Sequence, residues 1–205
     1  MPWSLISYKN NKIYLRKTLN YLKERYDMKL KNLILTALLL AIGMMLHQFA
    51  PPIFGMKPDF LLSMMFIAIL FNEDYKTTFI IGLTSGILTA ATTTFPGWQL
   101  PNLIDKIITS QIIYIIIILL GKTNFIFKTN NTLKLTIVSI LGTVISGTVF
   151  LGSANLLFSL PAPFKILFLT VVLPATLINT AASLLLFNVI NIAAKRSGLS
   201  KIMEK

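Results

Sequence analysis

A chain of 205 residues that is 55% hydrophobic and 13% charged, with a mean hydropathy of +0.74, leaves no stretch long enough for a separate water-soluble domain. Its net charge of +12 does not point to nucleic acid, because the lysines and arginines gather between and outside apolar runs, where they set membrane topology. There is no cysteine and one histidine, and the HExxH, GxSxG and Walker A spacings are absent, so the pattern calls for no metal, no cofactor and no enzyme.

Residues 1–27 are basic and roughly helical in pattern, with Ile13, Tyr14, Leu15, Leu19, Tyr21 and Leu22 spread among the charges. Such a segment fits either an amphipathic helix on an anionic leaflet or an extension outside the domain. Because "MKLKNLILTALL" from Met28 reads as a natural beginning, residues 1–27 are taken as a dispensable extension and 28–205 as the membrane domain. The apolar run 33–46 follows basic residues as a signal peptide does. It leads into "HQFAPPIFG" with no small-x-small cleavage site, so a retained first span is expected.

Six spans are predicted, at approximately 32–50, 58–71, 77–95, 102–121, 134–158 and 165–194, giving an all-α membrane bundle. The second is short; it either extends into "NEDYK" or sits where the bundle thins the bilayer. The last contains Pro174, so a kink is expected there. Sixteen of the nineteen lysines and arginines fall on one side of this arrangement, against Lys57, Lys106 and Lys165 on or near the other. The positive-inside rule then puts both termini in the cytoplasm. The outer connections "APPIFGMKPD", "PGWQLPN" and "SLPAPFK" are short and proline-bearing, suited either to lidding a pocket or simply to ending helices.

Polar residues repeat at helical spacing inside these spans. In the fourth, Asn102, Asp105, Lys106 and Thr109 share a face whose next positions, Ile113 and Ile116, are apolar. That stripe is the shape of a cavity open outside and closed below. Matching faces occur at Thr176, Asn179, Thr180 and Ser183, at Ser139, Gly142, Thr143 and Ser146, and at Gly82, Ser85, Gly86 and Thr89. In the third and fifth spans the small residues are read as close helix packing. Asn179 stands out because a buried amide needs partners. A charge at the bilayer centre costs about 2.5–3.5 kcal/mol on insertion scales, so charges at membrane depth default to functional sites. Asp105 and Lys106 are therefore either ligand groups or an interfacial anchor that snorkels. His47, near the outer end of the first span, is carried as a candidate binding residue and not as a metal ligand.

In "TALLLAIG", Ala37 and Ala41 form a small-xxx-small pair that admits close approach of another helix. With six spans and cytoplasmic termini, this pair resembles a substrate-binding S-component of an energy-coupling-factor transporter. The segments "AIGMMLHQFAPPIFGMKPDFLLSMMFIAILF" and "GLTSGILTAATTTFPGWQLPNLIDKIIT" are similar to the bacterial tryptophan-transporter (TrpP-like) family related to such S-components. The match rests on "GMKPD", "TTTFPGWQ" and "PNxIDK" and covers Met28 to about Lys195. The resemblance implies uptake of L-tryptophan across the cell membrane. It also implies docking through Ala37 and Ala41 to a transmembrane coupling subunit served by an ATPase pair.

A zwitterion needs an anion and a cation close together. Asp59 or Asp105 would take the ammonium and Lys57 or Lys106 the carboxylate, with Trp98, Phe95 and Phe54 as candidates for an indole wall. Asn102, Gln99, His47 and Asn179 complete the candidate set, and the cavity is expected between the first, fourth and sixth spans. The alternatives are a solitary ion-coupled amino-acid carrier, an S-component for another small ligand such as a vitamin, and a membrane assembly factor.

Overall fold

The structure is a computed structural model that describes residues 3–49, 51, 57–72, 74–93, 97–123, 130–158 and 160–196. Every regular element among them is helical: α1 (Trp3–Phe49), α2 (Phe60–Phe71), α3 (Tyr75–Thr92), α4 (Gln99–Thr123), α5 (Asn131–Leu157) and α6 (Phe164–Arg196). The chain forms two compact units, Met1–Leu35 and Thr36–Lys205, the division falling inside α1. In the first, the side chains of Leu19, Leu22, Tyr26, Met28 and Leu30 are exposed.

Among the described residues, four helices are long and apolar enough to cross a membrane: Met28–Phe49, Gln99–Lys122, Asn131–Leu157 and Phe164–Arg196. The shorter apolar helix α2 has 12 residues, about 18 Å at the helical rise, against a hydrocarbon core of about 30 Å. It is the centre of the bundle. Every residue from Leu61 to Phe71 is buried, as expected of a helix that is apolar all round. The extension into "NEDYK" does not occur, because Asn72 ends α2. Its backbone N–H donates to Ile69 O, and its Nδ2 donates to Thr36 Oγ1 at 2.7 Å and Ala68 O at 2.8 Å.

Small residues let the other helices close on this centre. A Cβ on Gly82 would collide with Ser110 Oγ, and one on Gly86 would lie 2.9 Å from Leu103 Cδ1, so α3 and α4 meet with no room to spare. Gly43 is equally tight against Met64 of α2, and Gly142 of α5 against Phe66 and Ile113. In α6 the backbone just before Pro174 widens into a π turn over Phe168–Val172, with Leu173 N–H donating to Phe168 O. Proline has no N–H and its ring crowds the carbonyl four residues earlier, here Thr170, which the wider turn accommodates. The outward faces carry Leu38, Ile42 and Met45 of α1, Ile115 and Leu119 of α4, and Leu177, Leu185 and Val189 of α6, all exposed. An apolar exterior around helices whose backbone bonds are internal is what a bilayer requires.

Candidate functional site

The site is built around Lys106, whose side chain is 3% exposed. Its Nζ donates to Asp59 Oδ2 at 2.9 Å, to Asp105 Oδ2 at 2.9 Å and to Ser146 Oγ at 3.4 Å. Three donors meet three acceptors, so the ammonium has none left over. Asp105 is as fully engaged: Thr109 Oγ1 donates to its Oδ1 at 2.8 Å and Ser146 Oγ to its Oδ2 at 2.8 Å. The spacing in α4 explains the pairing, since Thr109 lies one turn beyond Asp105 on the same face. Ser146 reaches the pair from α5.

Asp59 is the more open carboxylate, 21% exposed against 2% for Asp105. Pro58 precedes it, and Asp59 caps α2, its Oδ1 accepting Leu62 N–H at 2.9 Å. Its own N–H donates to Asn179 Oδ1 at 2.8 Å, tying α2 to α6. Asn179 O in turn accepts Ser183 Oγ at 2.8 Å and Ser63 Oγ at 3.4 Å. His47 Nδ1 lies 3.4 Å from Asp59 Oδ1, within ion-pair range, yet makes no hydrogen bond. We read it as a neighbour of the carboxylate and not as a bonded partner. Lys57 is exposed, with its Nζ donating to Gln48 O at 3.1 Å.

Beside this cluster lies a cavity of about 340 Å³, within the range of small-molecule pockets. His47, Lys57, Asp59, Asn102, Asp105, Lys106, Ser146 and Asn179 are among its polar lining. Leu62, Trp98, Phe150, Leu151, Leu167, Val171, Val172 and Ala175 form the apolar remainder, with Thr143 and Gly147. Gly97, at φ 86°, makes the left-handed turn that starts the approach to α4 and that other residues adopt at a cost. The turn delivers Trp98, whose ring meets Phe150 edge-on at 5.4 Å and 62°. Its carbonyl accepts Asn102 Nδ2 at 3.0 Å.

Eight of the nine binding candidates read from the sequence therefore line one cavity; Gln99 is exposed in the first turn of α4 and does not line it. Phe54 and Phe95 lie outside the described residues. Ala37 and Ala41 are exposed on α1. The cavity lies among α4, α5 and α6 with His47, Asp59 and Leu62, so α5 contributes more than the expected first, fourth and sixth spans allowed. Sequence reasoning missed Ser146, Thr143 and Phe150 as site residues. The signal was present, since Thr143, Ser146 and Phe150 sit at i, i+3 and i+7, but small polar residues there were read as packing. Gly142 of the same stripe does pack, against Phe66.

Buried charges thus lie among apolar helices long enough to cross a membrane, beside a cavity of ligand size. The family model for tryptophan transporter TrpP matches residues 29–195. A protein of Clostridium acetobutylicum is 51% identical over 171 residues, covering 83% of this chain and 95% of that protein. One of Clostridium perfringens is 44% identical over 174 residues (82% and 96%), and one of Bacillus subtilis 40% over 171 residues (83% and 96%). All three bear the name "Probable tryptophan transport protein". No solved structure matches the chain. The chain belongs to the tryptophan transporter family TrpP, a family of transport proteins and not of enzymes.

Proposed function

We propose that this protein imports L-tryptophan across the cell membrane and binds it in the cavity beside Asp59. The observation that carries the reading is the unequal burial of the three charges, Asp59 being 21% exposed where Lys106 is 3% and Asp105 2%. Lys106 and Asp105 are bonded to each other and to Ser146 and Thr109, and Lys106 also donates to Asp59. Asp59 is partly open to the cavity. A carboxylate that faces the cavity suits a substrate ammonium. Asp59 is then the ammonium ligand, and Lys57, exposed at the cavity, takes the carboxylate. Lys106 acts as an internal counter-ion. The apolar remainder, with Trp98 and Phe150, receives the indole.

The transport domain is 28–205, with six spans and cytoplasmic termini. It works as an S-component: Ala37 and Ala41 present a small-residue face to a coupling subunit driven by an ATPase pair. Exposure of both alanines supports this reading. A solitary ion-coupled carrier is the second reading, favoured by a carboxylate and an ammonium buried at membrane depth. Calorimetry of the purified protein against tryptophan, other aromatic amino acids and vitamins tests the substrate. Heat from a vitamin and none from tryptophan would sink it. Copurification from the native host separates the mechanisms, since an ATPase pair that comes down with the protein supports the first and a lone chain active in liposomes the second.

A further inference from the structure

We propose that the side-chain oxygen of Asn102 accepts the indole N–H of the substrate, and so favours tryptophan over aromatic amino acids that lack this donor. The assignment rests on the tryptophan reading above and deepens it. Asn102 lines the cavity, and its amide nitrogen donates to the Trp98 carbonyl at 3.0 Å. A carbonyl oxygen only accepts, so this bond decides which way the amide lies, nitrogen toward Trp98 O and oxygen turned away from it. Among the described residues nothing donates to that oxygen. Nor is it one of the enclosed polar atoms without a partner, which sit on His47, Ser85, Gln111, Ser139 and Thr143. It is therefore an open acceptor on a half-buried residue of the cavity wall.

The order of groups along the cavity matches their order along tryptophan. At one level lie the charges, where Lys106 meets Asp59 at 2.9 Å, Ser146 meets Asp105 at 2.8 Å and Asn179 holds the Asp59 N–H at 2.8 Å. At the other level Trp98 meets Phe150, their rings 5.4 Å apart. Asn102 stands between the two, four residues after Trp98 and four before Lys106, about 6 Å at the helical rise from either. In tryptophan the ring that carries the N–H is the one joined to the side-chain methylene, and the benzo ring is the far end. With the ammonium on Asp59 and the benzo ring at the Trp98–Phe150 pair, the N–H falls at the level of Asn102. The indole nitrogen is a donor only, and an amide oxygen is an acceptor of the matching kind. Shape alone discriminates weakly between rings of similar size, whereas a site that bonds a substrate N–H rejects analogues without it.

The test uses the purified full chain and two probes, L-tryptophan and 3-benzothienyl-L-alanine, which carries sulfur where tryptophan carries N–H. Calorimetry on the wild-type protein should favour tryptophan by about tenfold, the factor that one ordinary hydrogen bond carries. The ratio of the two affinities is the readout, because a general loosening of the site weakens both probes alike. Asn102→Leu, of similar size and without an acceptor, should abolish the preference, and so should Asn102→Ala. Asn102→Asp keeps an oxygen for the indole and gives up the N–H that holds Trp98 O, so it should retain the preference. Loss of the preference in the aspartate variant as in the leucine variant would mean that Asn102 only positions Trp98, and overturns the assignment. Equal wild-type affinity for the two probes, or a preference that survives in the leucine and alanine variants, overturns it as well while leaving tryptophan as substrate. A wild-type protein that binds neither probe overturns the tryptophan reading and this assignment together.

Discussion

Replacing Lys106 by Met keeps a long apolar stem and removes the one cation that two carboxylates share. Asp105, 2% exposed, then faces Asp59 with no positive charge between them. Removing one partner of a buried ion pair costs about 3–5 kcal/mol, because the survivor stays charged without compensation. With two pairs broken here, the upper end of about 5 kcal/mol applies. For a domain of this size 1 kcal/mol moves the melting temperature by about 2–4 °C, so Lys106→Met should lose roughly 10–20 °C. Asp105→Asn alone should be milder, because Lys106 keeps Asp59 at 2.9 Å and the amide oxygen still accepts from Thr109 or Ser146. The decisive variant carries both changes. It leaves Asp59 alone, partly exposed and still bonded to the Leu62 N–H, and should be more stable than Lys106→Met by about 2–3 kcal/mol, a coupling of the size contacting residues show. Thermal unfolding of the four proteins in one detergent, followed by circular dichroism, reads the cycle. Additive losses, or a Lys106→Met protein that melts within a few degrees of wild type, would refute the view of Lys106 as the hub.

Three further outcomes follow from the same geometry. Asp59→Asn should weaken tryptophan binding by about a hundredfold or more, as truncation of a buried charge partner does, whereas Lys57→Gln, at an exposed cation, should cost less than about tenfold; calorimetry showing the reverse order would exchange their roles. Leu at both Ala37 and Ala41 should leave tryptophan binding by the purified protein nearly intact while uptake by cells falls sharply, and uptake unchanged by both substitutions would favour the solitary carrier. Gly82→Ala should lower the melting temperature, at a cost of about 1–3 kcal/mol for overpacking, because the added methyl meets the Ser110 side chain and the Lys106 carbonyl. A Gly82→Ala protein that melts as the wild type does would mean that the α3–α4 contact is looser than its geometry.

Long-range charge pairing was the part of the site that spacing left open. Periodicity placed Asn102, Asp105, Lys106 and Thr109 on one face of a helix, because i, i+3, i+4 and i+7 are neighbours whatever surrounds the helix. Asp59, 47 residues before Lys106, bears no periodic relation to it, so its carboxylate remained one of two equal choices until the cap of α2 was seen to bring it to the lysine. The bundle itself was legible because apolar runs of this length have few other solutions, and apart from the start of α1, which lies at Trp3 and not near residue 32, the helix ends fall within a few residues of those expected. The α5 stripe was misread for a different reason. Gly142, Thr143 and Ser146 have the same small size whether they admit a neighbouring helix or face a cavity, and only the surroundings decide. Gly142 meets the Phe66 ring and Ser146 meets Asp105, one turn apart on one helix. Small residues at helical spacing therefore served both needs at once: they let α5 close on the core, and they left the hydroxyls that a buried carboxylate requires.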